Sequence, residues 1–212
     1  MAGVEELTDE IVVAAVEGAS SARAQVLEFV GSRVRLMVAA RLSPTPGQFD
    51  AVDDIAQEVL VGLATGLANL THRTVGGLNA YVSGIVSRQV ASKIGPRGGA
   101  AAPGGHVASL DSTIATLSGG GPLWQLLSAG GTSPRTAAER AEQVRRLMIA
   151  LGQLKPEHRE IITLVVFDEF KMRDAARQMD ISRPAAAMLF KRAVHALGRQ
   201  MAGTSTIGHI GE

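Results

Sequence analysis

Along residues 7–94, apolar positions recur at three- and four-residue spacing, the pattern of helices that bury one face. Leu7 to Val16 forms the first such run. Val26, Phe29, Val30, Val34, Met37 and Val38 define the face of a second. Pro44 and Pro46 end it, because proline lacks the amide hydrogen that a helix needs. Val52, Ile55, Val59, Leu60, Leu63 and Leu67 make a third stripe, and Leu78, Tyr81, Val82, Ile85 and Val86 a fourth. No stretch alternates with a period of two, so no sheet is predicted. This part of the chain reads as a bundle of about four helices.

The pattern breaks at residues 95–132, where ten of 38 residues are Gly and three are Pro (Pro96, Pro103 and Pro122). Ordering such a stretch costs much backbone entropy, and the segment reads as a flexible linker. Two apolar islands, 107–117 and 123–127 with Trp124, read as short helices or docking segments. Helical spacing then resumes. Ser133 can cap a helix with Pro134 at its first position, and that helix carries Ala141, Val144, Leu147, Met148 and Leu151. Pro156 opens another, with Ile161, Ile162, Leu164 and Val165 on its buried side, ending near Asp168 and Glu169. A short segment from Met172 to Met179 leads to Asp180, a residue type that tolerates the left-handed conformation of a tight turn. Ser182 caps the last helix, Pro184 lies in its first turn, and Ala186, Leu189, Phe190, Ala193 and Leu197 form its face. The expected architecture is all-α: two small helical domains, residues 1–94 and 134–202, joined by a flexible linker over 95–133 and followed by a flexible tail, 203–212.

Composition removes several classes of chemistry. Cysteine is absent, which excludes disulfides, thiolate metal sites and a Cys nucleophile. The five histidines, at 72, 106, 158, 195 and 209, have no ligand spacing. Neither a nucleophile elbow nor a phosphate-binding loop is present, and the adjacent Asp53 and Asp54 point in different directions on a helix. The expectation is a non-enzymatic protein without metal, cofactor or small-molecule substrate. Apolar runs such as 11–16 are far short of a membrane span, and Glu5, Glu6, Asp9 and Glu10 make the start acidic where a signal peptide is basic. A cytoplasmic location is expected.

Charge changes the picture more. The net of +1 is a cancellation: residues 1–94 hold 7 Lys/Arg against 10 Asp/Glu, and residues 139–202 hold 12 against 8. Past Asp180 there is no acid before Glu212, while Arg183, Lys191, Arg192 and Arg199 fall in between. That basic end is a candidate phosphate-binding face. It coincides with helix-turn-helix grammar over residues 170–200. The short helix holds Ala175 and Ala176, which allow a close crossing; Asp180, Ile181 and Ser182 form the turn, with Ile181 as its buried plug; and the second helix carries basic residues on its outer side.

The stretch 151–201 resembles region 4 of the bacterial sigma-70 family, especially the extracytoplasmic-function (ECF) group. The matching residues are Leu154, Lys155, Pro156, Glu157, His158, Arg159, Glu160 and Ile161, then Ala175 and Ala176, then Asp180, Ile181 and Ser182, then Lys191, Arg192 and Ala193. The front half resembles region 2 of the same family. Asp53, Asp54, Ile55, Ala56, Gln57, Glu58 and Val59 match an acidic-acidic-aliphatic-x-Gln-Glu-Val signature, and Ala80 and Tyr81 with Ile85 match an Ala-Trp-(x)₃-Ile helix.

The resemblance implies a sigma factor that binds core RNA polymerase and directs promoter −10 and −35 recognition and DNA opening. Asp53, Asp54, Gln57 and Glu58 would dock on the clamp of the polymerase β′ subunit, with the β subunit as a further partner. His72, Arg73, Thr74, Tyr81, Ser87, Arg88 and Lys93 would meet the −10 strand, partly through flipped bases. Arg173, Ser182, Arg183, Ala187, Lys191 and Arg192 would meet the −35 duplex, Ala187 through thymine methyls and Lys191 and Arg192 through phosphates. The sequence departs from the family where an Arg-Asn-x-x-x-Asp run reads Ser87 to Ser92, and where Lys, Ser and Arg early in the recognition helix read Ala187, Met188 and Leu189. Those departures keep open a sigma-like interaction module, or a helix-turn-helix regulator, without independent promoter selectivity. An anti-sigma partner that clamps the two domains together is compatible with such a linker.

Overall fold

The computed structural model of the chain describes residues 7–42, 49–94 and 137–204. Among these residues the fold is all-α, with eight α-helices and no strand. The helices fall into two compact units, the first holding α1–α4 and the second α5–α8.

In the first unit α1 is Asp9–Val16, α2 Ser20–Leu42, α3 Phe49–Gly66 and α4 Val75–Ile94. The Thr8 hydroxyl accepts from the Ile11 amide (3.5 Å) to cap α1 and also holds the Glu10 carboxyl below its ordinary value. Gly18, at φ 105°, ends α1, with the Ala19 amide donating back to the Ala14 carbonyl (3.0 Å). The α2 helix packs on α1, α3 and α4, and Leu36, Met37, Val38, Ala39 and Ala40 are buried in succession. A helix buried on all sides over more than a turn is the centre of its bundle. The stripes predicted for α3 and α4 form the rest of this core: Val52, Ile55, Val59 and Leu63 with Leu78, Val82, Ile85 and Val86.

A short 3₁₀ turn, Leu67–Asn69, follows α3, and α4 begins at Val75, three residues before Leu78, the first position of the fourth apolar stripe. Two caps account for the early start. The Thr74 hydroxyl accepts from the Gly77 amide (3.0 Å), and the Asp9 carboxylate on α1 accepts from the Val75 amide (2.7 Å). Gly77 lies so close to the preceding turn that an added Cβ would sit 2.6 Å from the His72 Cβ and closer still to its carbonyl oxygen. Gly77→Ala would gain about 1 kcal/mol of helix propensity, but the clash is with backbone and outweighs it. A net loss of about 1–2 kcal/mol is expected in urea unfolding followed by circular dichroism.

In the second unit α5 is Ala137–Gly152, α6 Pro156–Ile162, α7 Met172–Gln178 and α8 Arg183–Thr204. The core joins Leu147, Met148 and Leu151 to Ile161, Ile162, Leu164, Val165, Phe167 and Leu197. Arg159 ties α6 to the end of α5 by donating to the Gly152 and Leu154 carbonyls (both 3.3 Å), and its burial lowers the guanidinium from its ordinary value. The α-helical part of α6 is shorter than predicted. From Thr163 to Phe167 the backbone forms a π turn, with the Asp168 amide donating to the Thr163 carbonyl (2.9 Å), and Glu169 at φ 56° ends it. Helix α8 runs past the predicted boundary at residue 202. Pro44, Pro46, the segment 95–133 with its Trp124, the Ser133–Pro134 cap and the tail from 205 lie outside the described residues. No helix among the described residues is long and apolar enough to cross a membrane.

Candidate nucleic-acid interface

The second unit places a helix-turn-helix over α7 and α8. At the end of α7 the Asp180 amide donates to the Arg177 carbonyl (3.1 Å) and the Ile181 amide to the Ala176 carbonyl (3.0 Å), while Asp180 itself sits at φ 52°. This is a Schellman motif with Asp where glycine is usual, so the left-handed position foreseen at Asp180 is present. Asp180→Val should lower stability by about 1–2 kcal/mol, because a β-branched residue resists that conformation, whereas Asp180→Gly should not lower it. Urea denaturation of both variants checks this. Ser182 caps α8: its hydroxyl accepts from the Ala185 amide (3.3 Å). Ala175, Ala176, Ala186 and Ala193 are buried, and small side chains at these positions let α8 pack closely on its neighbours. Ile181, expected as a buried plug, is half-buried, as are Leu189 and Phe190.

The other side of α8 faces outward. Ser182, Arg183, Lys191 and Arg192 are exposed, and the three cations have no carboxylate partner among the described residues. The His195 ring contacts the Arg199 guanidinium (3.3 Å) one turn further on. Ala187 is half-buried on the flank, while Met188, next to it, is 53% exposed. Arg173 on α7 is exposed, and it shares Asp174 with Arg177 (3.5 and 3.6 Å). The arrangement offers a positive, donor-rich surface with an apolar centre, which suits a phosphate-lined groove.

In the first unit, Asp54, Gln57 and Glu58 are exposed on one face of α3, with Val61 (64% exposed) continuing it. Asp53 turns aside to meet Arg35 on α2 (2.8 Å). Glu58 meets Lys93 on α4 (2.9 Å), so one residue from each of two separately expected sites forms a single ion pair. That carboxylate raises the Lys93 ammonium above its ordinary value, and the Asp54 charge adds to the effect. The −10 candidates differ in exposure and in their contacts. His72, Arg73 and Arg88 are exposed, with Arg73 near Glu17 (3.7 Å), whereas Ser87 is half-buried. Thr74 is engaged as the cap of α4. Tyr81 is half-buried, and its hydroxyl lies where a side chain on Gly66 would go, so the ring is packed on the end of α3.

Arg35, Glu17 and Asp9 carry contacts that sequence reasoning missed, since their partners are distant in the chain and no local spacing announces them. Met188 had a signal: at about 100° per residue it stands opposite the buried Ala186 and Ala193. No curated protein matches the chain. Residues 144–197, from within α5 to within α8, match the family model described as Sigma-70, region 4, and the segment holding this helix-turn-helix is thus similar to sigma-70 region 4.

Proposed function

We propose that the chain is a transcription initiation factor of the sigma-70 type, of the ECF group. In this reading α8 lies in the major groove of the −35 duplex, with Ser182 and Arg183 at its leading end and Lys191 and Arg192 on phosphates. The exposed Asp54, Gln57 and Glu58 of α3 dock on a basic surface of core RNA polymerase at the β′ clamp, with the β subunit as a further partner. Exposed Arg88, His72 and Arg73 are then the candidates for holding the opened −10 strand. The protein performs no catalysis of its own and needs no cofactor. It acts where polymerase and DNA are, in the cytoplasm, and an anti-sigma protein covering either face would silence it.

The observation that carries this reading is the capped helix-turn-helix of α7 and α8, with Arg183, Lys191 and Arg192 exposed and without a carboxylate partner among the described residues, inside the segment similar to region 4. The test is to add the full-length protein to core RNA polymerase and measure initiation across a promoter library. Promoter-dependent initiation is expected; no association with polymerase and no initiation on any template would defeat the reading. One observation favours a second reading, a sigma-like module that binds polymerase without selecting promoters. The outward face of α8 presents Met188 where the family often has donors to base edges. Polymerase binding with no template preference would establish that alternative.

A further inference from the structure

We propose that Met188 reads the 5-methyl group of a thymine in the major groove, an inference that rests on the reading of α7 and α8 as a duplex-binding helix-turn-helix. Among the described residues, the exposed large apolar side chains are Val61 and Met188. A Met that is 53% exposed leaves most of its thioether chain in water and contributes little to its own fold. Its place on the helix is specific. Ala186, Ala193 and Leu197 are 0% exposed and define the inward side of α8. At about 100° per residue, Met188 lies roughly 200° from Ala186, at the middle of the outward side. Lys191 and Arg192 flank it one turn later, and both are exposed with no carboxylate partner among the described residues. Ala187 is turned about 100° away and is half-buried, so the apolar contact expected of it passes to its neighbour.

The chemistry of the groove then selects the ligand. Guanine, adenine and cytosine present donors and acceptors on their major-groove edges, and thymine alone adds an apolar group. A thioether satisfies no strong donor or acceptor, but it is flexible and polarizable and packs well on a methyl. With cations on both flanks to hold the phosphates, the helix presses its exposed large apolar side chain onto the base edges. The sequence information gained is methyl recognition in place of the hydrogen bonds that polar side chains would have made.

The experiment enriches a randomised duplex library on the full-length protein bound to core RNA polymerase. The enriched site is then remade with each thymine in turn replaced by uracil, which lacks only the methyl group. One replacement should weaken wild-type binding about fourfold, the worth of one buried methyl-sized group. The same replacement should have no effect on Met188→Gln, and Met188→Leu should retain the discrimination. Both substitutions are at an exposed position, and circular dichroism verifies their folding. If no replacement weakens wild-type binding, or if wild type and Met188→Gln lose equally, the assignment is overturned. It is also overturned if Met188→Gln leaves the duplex unaffected and weakens only association with polymerase, which would make Met188 a protein contact. Failure to enrich any duplex would instead sink the duplex-binding reading beneath it, a distinguishable result.

Discussion

Asp54→Lys should weaken association of the full-length chain with core RNA polymerase by about ten- to a hundredfold, in line with reversing a charge across a complementary interface. Asp54 is exposed on the outer face of α3 and, among the described residues, is not drawn into an ion pair of the kind that holds Asp53 to Arg35. Its replacement changes the docking charge with little effect on the bundle. Adding Glu58→Lys should deepen the loss, but by two routes, since the new ammonium would also face Lys93 across the 2.9 Å gap of the present ion pair. Glu58→Gln separates them: it removes the attraction to polymerase without setting two like charges together. Biolayer interferometry at one fixed salt concentration measures all three. Wild-type affinity for Asp54→Lys would remove α3 from the docking surface.

Lys191→Ala combined with Arg192→Ala should weaken duplex binding roughly 30-fold, about 1 kcal/mol for each of two solvent-exposed phosphate contacts. The more telling quantity is the salt dependence. Each phosphate contact adds about 0.9 to the slope of log affinity against log salt, so losing both should flatten that slope by about 2. The preferred duplex should stay the same, because phosphate contacts position the helix without reading bases. Binding to polymerase should also be unchanged in this variant. Loss of polymerase binding to the same extent would mean that the second unit had unfolded or that its role is wrong.

The parts of the molecule legible in the sequence are those set by local periodicity. The stripes through α1 to α4 and α6 to α8 follow from apolar spacing, and Val52, Ile55, Val59 and Leu63 are all buried as that spacing requires. The α7–α8 turn was equally legible, since Asp180 and Ser182 are residue types suited to a left-handed position and a cap. What stayed hidden depends on the third dimension. The early start of α4 needs Asp9 from α1, 66 residues away. Likewise, nothing local reveals that Glu58 and Lys93, 35 residues apart, form a hydrogen-bonded ion pair. The π turn was missed for another reason: Leu164, Val165 and Phe167 are compatible with an ordinary helix by spacing, and all three are buried in the wider turn as they would be in an α turn.

That widened turn gives the second unit an uneven tolerance to changes in chain length. A π turn holds one residue more per hydrogen-bonded ring than an α turn, so a single deletion within Thr163–Phe167 can be absorbed by closing the ladder to the ordinary α pattern. Everything beyond Glu169 then keeps its own internal register. A single deletion inside the first turns of α8 has no such slack. It would swing all later side chains about 100° around the helix axis, carrying Lys191 into the half-buried position that Phe190 now holds and turning Ala193 and Leu197 out of the core. Natural length variation in this unit is therefore expected to collect ahead of the helix-turn-helix and to be absent from the helix that faces the groove.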